Sequence, residues 1–188
     1  MATSAAELGT KHFPAPGRWV VDKSHSSLDF VAKHLMVTKV RGTFGEFSGT
    51  ITIGDTPEAS SAEAVIQAAS LTTGDEKRDG HLHSPDFLDV ENHPEITFKT
   101  TKVESRSPGE GTVTGDLTIN GITKPVTLHA TFEGLAQDPW GGERAAFAAS
   151  TEINREDWRM TWNQALETGG VLVSKKVRLE IDVQAVRQ

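Results

Sequence analysis

Apolar and polar residues alternate along most of the chain, which is the pattern of β-strands that bury one face and expose the other. In the last and longest run, Val177, Leu179 and Ile181 alternate with Arg178 and Glu180. Other extended runs lie at residues 18–22, 25–35, 37–44, 47–53, 62–71, 95–103, 113–119, 126–133 and 145–153. Some of these runs continue one another, and together they predict about eight strands.

Short turns between the runs favour an antiparallel sheet. Asn120-Gly121 lies directly between two alternating runs, and both residues tolerate the positive φ angles of a type I′ hairpin turn. One buried face per strand is also typical of antiparallel sheets. Eight such strands form either a sandwich or a closed up-and-down barrel, and periodicity alone leaves both open.

Several inward positions carry small residues where a packed core would favour leucine or isoleucine. Ala145, Ala149 and Thr151 form one such set, and Ala64 and Ala68 form another. An eight-stranded barrel either fills its own interior or holds one small ligand. The small residues therefore favour a barrel with room for a ligand.

One irregular segment, Thr73 to Pro94, interrupts the strands with the sequence TGDEKRDGHLHSPDFLDVENHP. Thr73 or Asp75 can cap a short helix. Ser84-Pro85 would end that helix, because the residue before a proline disfavours the helical region. We therefore predict a short helical crossing at about residues 74–90, which covers whatever the strands enclose.

Composition narrows the class of protein. A length of 188 residues suits one domain, with residues 1–16 as a flexible leader and 17–188 as the folded unit. A net charge of -7 argues against a nucleic-acid partner, and the lack of cysteine excludes disulfides and zinc–thiolate sites. No secretory signal or membrane-length apolar run is present, so we expect a cytoplasmic protein without stable membrane insertion.

Histidines in the crossing suggest a metal site. His81, His83 and His93 lie close in sequence to Asp79 and Asp86. Positions i and i+2 do not share a helix face, so only an irregular backbone would bring His81 and His83 onto one ion. The alternative is a solvated crossing in which these histidines cap turns or meet carboxylates.

Catalytic motifs are lacking. The segment Gly45–Gly49 has its serine one place too late for a nucleophile elbow, and Ser24-His25-Ser26 are merely adjacent in sequence. We therefore predict that the protein is not an enzyme, and the small inward residues favour a barrel that holds a ligand. The alternatives are a metal-dependent enzyme or stress protein that uses the histidines, and a packed barrel that acts only as an interaction module.

Two irregular segments carry opposite charges. Arg78 and Asp79 lie in the crossing, and Arg155 to Asp157 follow the run at 145–153. These residues predict ion pairs that tie the crossing to the rim of the barrel.

Several stretches resemble the YceI-like family, in the order in which that family has them. They are DKSHSSLDF at 22–30 with HLM at 34–36 and VRGTF at 40–44, TGDEKRDGHL at 73–82 with SPDF at 84–87, HPEITF at 93–98, GDLTINGITKPV at 115–126 and INREDW at 153–158. The resemblance spans residue 18 to the C-terminus. It implies an all-β fold, an eight-stranded antiparallel lipocalin-like barrel with a hydrophobic tunnel.

The resemblance also implies a function. Family members bind a long polyisoprenoid or related amphiphilic lipid, such as an isoprenoid quinone or a polyprenyl chain, for carriage, storage or sensing. They have no known catalytic residues, the lipid is a ligand and no further cofactor is implied, and they are often homodimers. Many are exported to the periplasm, whereas this sequence shows no export signal.

Large apolar residues become candidate ligand contacts on this hypothesis. Those along the tunnel are Phe30, Phe44, Phe47, Ile96, Phe98 and Phe132, and those near an end are Leu35, Trp158 and Trp162. Phe44 and Phe47 fall on opposite faces of an unbroken strand, so both point inward only if a bulge at Gly45 reverses the register. Arg159 stands where the family usually has glycine. A side chain at this position restricts the backbone conformations that the loop can adopt.

Overall fold

The computed structural model describes residues 13–188, and residues 1–12, most of the predicted leader, lie outside that range. Within this range the chain forms eleven strands and one α-helix. The strands are β1 Gly17–Val21, β2 Ser27–His34, β3 Thr38–Phe44, β4 Phe47–Ile53, β5 Ser61–Gln67, β6 Leu71–Thr72, β7 Glu95–Ser107, β8 Glu110–Ile119, β9 Ile122–Gln137, β10 Glu143–Asn154 and β11 Lys176–Arg187, and the helix is α1 Glu76–His83.

The eleven strands form an eight-stranded antiparallel barrel, because three of the eight are each divided in two. A short 3₁₀ turn at Lys23–His25 separates β1 from β2, Gly45-Glu46 separates β3 from β4, and a 3₁₀ turn at Ala68–Ser70 separates β5 from β6. Each pair continues the same path along the wall. The predicted eight-stranded barrel is therefore confirmed, and the sandwich is excluded.

Strand β11 closes the barrel. One of its edges pairs with β10 along almost its whole length. The other edge pairs with β2 through residues 178–182 and with β1 through residues 185–187. The remaining neighbours follow one another in chain order, so the topology is up-and-down.

The three strand breaks lie side by side and form a continuous seam across the wall. Lys23 Nζ lies 2.8 Å from a carboxylate oxygen of Glu46. The Gly45 amide donates to the Ser70 carbonyl at 3.2 Å, and the Gln67 amide donates to the Glu46 carbonyl at 2.9 Å. The seam divides this part of the wall into two groups of short strands. We call β1, β4 and β5 the lower panel, and β2, β3 and β6 the upper panel.

Up-and-down topology places alternate connections at the same end of the barrel. The β2–β3 turn, the crossing, the β8–β9 turn and the β10–β11 connection lie at one end, which we call the helical end. The β4–β5, β7–β8 and β9–β10 turns lie at the other, the turn end. Each end has its own core of buried apolar side chains.

The helical-end cluster joins the crossing and the β10–β11 connection to the wall. Its buried members are Ala68, Leu71, Phe87, Leu88, Ile96, Leu117, Ile119, Val126, Ile153, Trp158 and Met160. The turn-end cluster is smaller, and its buried members are Trp19, Ile53, Phe132, Ala145 and Ala185. Both ends therefore contribute packed apolar side chains to the interior.

The crossing forms the predicted short helix. Asp75 caps α1, since its side chain accepts a hydrogen bond from the Arg78 amide at 2.8 Å, and Ser84-Pro85 ends the helix as expected. Within residues 13–188, no helix combines the length and the apolar character needed to cross a bilayer.

Asn120 and Gly121 form the predicted tight turn between β8 and β9. Their φ angles are 54° and 72°. Two consecutive positive φ angles are those of a type I′ turn, which asparagine and glycine adopt at little cost.

A polar network fastens the β1–β2 break to the wall beside it. The carboxylate of Asp22 accepts from Ser24 Oγ at 2.6 Å and from Arg144 Nη1 at 2.7 Å, and it contacts His25 Nδ1 at 2.8 Å. Arg144 also pairs with Asp138 at 3.1 Å. The bonds from Ser24, Arg144 and His25 hold the pKa of Asp22 well below its ordinary value of 3.8.

We expect Asp22→Asn to lower the free energy of unfolding by about 1–3 kcal/mol near neutral pH, because charge-assisted hydrogen bonds are lost. A carboxyl whose pKa is lowered in the folded state stabilises the fold above its ordinary pKa, and this contribution disappears as the pH falls through the folded value. Urea unfolding of both proteins at several pH values should therefore show the difference shrinking below pH 3.8. The exposed Asp55→Asn serves as control, and a difference that does not change with pH would contradict the assignment.

Candidate functional site

An apolar cavity of about 400 Å³ lies inside the barrel between the two core clusters, and its lining extends to the β4–β5 and β7–β8 turns through Pro57, Ser60 and Gly109. This volume is in the range of roughly 300–1,000 Å³ that is typical of small-molecule sites. Strands from all around the wall contribute to its lining. The cavity is therefore the space that the interior side chains of the barrel leave unfilled.

Small residues at mid-height explain why this space is left. Ala130 of β9 and Ala149 of β10 are direct cross-strand partners, and both line the cavity. Ala64 of β5 lines it from another side. Alanine at these positions replaces the larger side chains that fill a packed barrel of this size. Ala145 and Ala68, also named from the sequence, lie instead in the turn-end and helical-end clusters.

Two glycines let aromatic rings lie flat against the wall. A Cβ atom at Gly42 would lie 2.1 Å from Cε1 of Phe30, its cross-strand partner. A Cβ atom at Gly115 would lie 2.4 Å from Cζ of Phe98. Each ring therefore occupies the space above a glycine, which keeps it out of the middle of the cavity.

Six of the nine candidate ligand contacts line the cavity. They are Phe30, Phe44, Phe47, Ile96, Phe98 and Phe132. Phe44 and Phe47 both do so because the strand is interrupted at Gly45-Glu46, so that its register changes between them. Whether the six side chains contact a ligand stays a prediction.

The other three candidates, Leu35, Trp158 and Trp162, do not line the cavity. Leu35 lies at the β2–β3 turn and is 45% exposed. Trp158 is buried in the helical-end cluster, where its indole donates to the Leu117 carbonyl at 3.1 Å. Trp162 packs against the ring of His81 at a centroid distance of 4.5 Å. The two tryptophans hold the crossing and the β10–β11 connection in place.

Arg155 lies at the helical end of the cavity lining and is only 3% exposed. Its guanidinium donates to backbone carbonyls, through Nε to Ser174 at 2.9 Å and through Nη1 to Met160. Within the described chain no carboxylate forms an ion pair with it. Burial therefore lowers the pKa of Arg155, against a smaller opposing effect of Glu156.

The guanidinium also lies over the ring of Phe87, 5.7 Å from its centroid. The crossing is thus joined to the rim by a cation–π contact. This corrects the prediction of ion pairs. Arg78 donates to Thr73 inside the crossing itself, and Glu156 pairs with Lys175 at 3.2 Å.

Arg159, which stands where the family usually has glycine, adopts the left-handed conformation with φ of 59°. It caps the 3₁₀ turn Arg155–Trp158, and its amide donates back to Glu156. The loop therefore keeps a conformation that suits glycine, at some local cost in strain.

Each histidine of the crossing contacts a different partner. His81 Nε2 lies 2.9 Å from Asp86 Oδ2, and His83 Nε2 lies 3.0 Å from the Leu71 carbonyl. The ring of His93 lies beside Gly121. Among residues 13–188 no group of three or more histidine, aspartate or glutamate side chains is placed to hold a metal ion.

Ser24, His25 and Asp22 meet in space without the arrangement of a catalytic triad. Both Asp22 and Ser24 contact Nδ1 of His25, at 2.8 and 3.1 Å. A triad needs the carboxylate on one ring nitrogen and the serine on the other, so that the histidine can take up the serine proton. The three residues serve as part of the network that fastens the β1–β2 break.

An eight-stranded antiparallel barrel with an apolar, partly filled interior defines a lipocalin-like β-barrel. The model of the YceI-like domain matches residues 19–185. The chain belongs to the YceI-like family.

Similar proteins agree with this assignment. A UPF0312 protein of Pseudomonas putida is 39% identical over 192 residues, which cover 98% of this chain and 96% of the relative. Burkholderia cenocepacia BcnA shares the fold with a TM-score of 0.75 at 24% identity, covering 87% of this chain and 98% of BcnA. A polyisoprenoid binding domain from Saccharophagus degradans shares the fold with a TM-score of 0.67 at 15% identity, covering 93% of this chain and 100% of that domain.

We expect Gly42→Ala to push the ring of Phe30 into the cavity and to destabilise the fold by about 1–3 kcal/mol, as overpacking does. Phe30→Leu should remove the clash, so the double variant should be more stable than the sum of the two single changes implies. Chemical denaturation of the four proteins measures this coupling. Simple additivity would show that Phe30 does not depend on Gly42.

We expect Arg155→Lys to lower the free energy of unfolding by about 1–3 kcal/mol, because one ammonium group cannot replace the fork of donors that binds several carbonyls. Thermal and urea unfolding measure the loss. Replacement of the exposed Arg159 by lysine should change little, and equal effects of the two substitutions would contradict the role given to Arg155.

Proposed function

We propose that this protein binds the hydrocarbon chain of an isoprenoid or related amphiphilic lipid in the cavity between its two core clusters. The single observation that carries the proposal is an apolar cavity of about 400 Å³ at the centre of the barrel. The polyisoprenoid binding domain from Saccharophagus degradans, which shares the fold, supports the choice of ligand class.

The hydrophobic effect alone is sufficient for useful affinity. Each buried methylene contributes about 0.8 kcal/mol, so a five-carbon isoprene unit contributes about 4 kcal/mol at most. Micromolar affinity requires about 8 kcal/mol, after association costs of several more kcal/mol. Burial of three or four units would meet both requirements without a polar contact.

The shape of the cavity sets its selectivity on this proposal. Alanine and glycine at mid-height leave width for a branched chain, and the rings of Phe30 and Phe98 provide flat apolar surfaces. Few charged side chains line the cavity beside these rings, so recognition depends on the length and width of the hydrocarbon chain of the lipid. We therefore expect tolerance among isoprenoid quinones, polyprenyl chains and acyl chains, in a protein that carries, stores or senses them.

The alternatives have less support. A metal-dependent enzyme would need the histidines of the crossing to converge, whereas His81 and His83 bind Asp86 and the Leu71 carbonyl. A barrel that serves only as an interaction module would have a filled interior. The homodimer and the cytoplasmic location expected from the sequence stay predictions.

Native mass spectrometry of gently purified protein tests the proposal, followed by extraction and identification of any bound lipid. We expect a lipid adduct, and we expect added isoprenoid quinone to raise the melting temperature of stripped protein, since a ligand that binds only the folded state stabilises it. Absence of both effects would overturn the proposal.

A variant that fills the cavity sharpens this test. We expect Ala149→Phe to lower lipid binding at least tenfold, because Ala149 lines the cavity and the larger ring would occupy space that the lipid needs. Ala136→Phe is the matched control, since Ala136 is exposed on β9. Equal binding by the two variants would place the ligand outside this cavity.

A further inference from the structure

The turn between β2 and β3 carries three exposed apolar side chains in succession, which we call the apolar tip. Leu35 is 45% exposed, Met36 is 50% exposed and Val37 is 80% exposed. Single exposed apolar residues are common, but three in a row at the end of a hairpin form a patch that water solvates poorly.

The backbone of the apolar tip is unfavourable for the residues that occupy it. Leu35 and Met36 have φ angles of 53° and 63°, and the Val37 amide donates to the His34 carbonyl at 3.1 Å. This is the geometry of a type I′ turn, which favours asparagine and glycine. The same chain uses Asn120-Gly121 for the equivalent turn, with φ angles of 54° and 72°. Leucine and methionine therefore strain the turn, and about half of each side chain stays exposed although Met36 lies against Gly170.

The charges around the apolar tip are basic, although the chain as a whole has a net charge of -7. Lys33 and Lys39 are exposed cross-strand partners directly below it. The sequence from residue 30 to residue 41 contains no acidic residue. The adjacent β10–β11 connection contains the acidic residues Glu156, Asp157 and Glu167. Glu156 pairs with Lys175 of the same connection, and Lys176 of β11 pairs with Glu152.

From these features we propose that the apolar tip docks this protein peripherally on the surface of an anionic phospholipid bilayer. Apolar side chains with lysines behind them match the order of a bilayer, in which hydrocarbon lies beneath anionic headgroups. A second copy of the chain fits less well, because a two-fold contact would bring the lysines of both copies together. The docking does not depend on what the cavity binds.

Trp140, at the turn end, provides an internal contrast. It is 88% exposed, yet the β9–β10 turn at residues 138–142 contains no basic residue, and the nearby Arg144 and Arg187 are paired with Asp138 and Glu143. This turn therefore lacks the lysines that accompany the apolar tip. We therefore assign docking to the helical end alone.

Co-sedimentation with phosphatidylcholine vesicles, with and without about one third phosphatidylglycerol, tests this inference. The full chain should bind the anionic vesicles, and added salt should weaken the binding. The decisive variant is L35N/M36G, which gives the turn the residues that its backbone favours. It should melt no lower than the parent protein, yet bind anionic vesicles at least tenfold more weakly.

Lysine variants test the electrostatic part. K33S/K39S should lose about fivefold in vesicle binding per lysine and show a weaker salt dependence. W140S is the matched control and should bind as the parent does. Since the chain has no cysteine, Val37→Cys also accepts a single environment-sensitive dye, whose emission should shift to the blue on anionic vesicles, whereas dye on Trp140→Cys should not shift.

Equal vesicle binding by L35N/M36G and the parent protein would overturn the inference. So would a change in oligomeric state of that variant, measured by analytical ultracentrifugation without vesicles, if vesicle binding stayed the same. The second result would assign the apolar tip to a contact between copies. Lipid retention in the cavity, measured separately, distinguishes failure of docking from failure of the proposed function.

Discussion

Closure of the barrel by β11 is the constraint on which the other features depend. Its outer edge is shared between β2 and β1, so a single straight strand has to meet two strand segments separated by a turn. Its inner face must supply side chains to the whole interior, from the helical-end cluster to the turn-end cluster. The result is a sheet that closes on itself, which leaves fewer unpaired strand edges for pairing with other chains than an open sheet would.

A closed wall makes the size of each inward side chain decisive. Large residues are concentrated at the two ends, where Trp158 and Trp19 are almost completely buried. Alanine and glycine at mid-height leave space between these ends, which aromatic rings along the wall fill only in part. Such an arrangement sacrifices burial that a filled core would provide, which is the pattern expected where function, not stability, determines the side chains.

Regular parts of the fold could be predicted from the sequence. Alternation located the strands, Asn120-Gly121 located a hairpin, and Ser84-Pro85 located the end of the helix. Single-sequence periodicity could not choose between sandwich and barrel, because that choice depends on whether the first and last strands pair. The resemblance to the YceI-like family, carried by its motifs, supplied the barrel that the structure confirms.

Irregular segments explain the errors at the site. Residues 155–175 have no period, so nothing in the pattern showed that Trp158 belongs to the core or that Arg155 binds carbonyls. A buried arginine without an acidic partner leaves no mark in sequence, since its acceptors are backbone atoms. Leu35 continues the alternating pattern of β2 in the sequence, but it lies in the β2–β3 turn. That turn has positive φ angles at Leu35 and Met36, which leucine and methionine rarely adopt.

The seam gives the wall a mechanical property that an unbroken barrel lacks. At Lys23–His25, Gly45-Glu46 and Ala68–Ser70 the chain leaves regular ladder geometry, so bending there disturbs few strand hydrogen bonds. The upper panel of β2, β3 and β6 is joined to β11 at one side. On its other side the panel ends in β6, which is two residues long and, among the described strands, pairs only with β3. The upper panel is therefore held in the sheet by strand pairing along one side, so local opening of the wall here would break fewer strand hydrogen bonds than opening between fully paired strands.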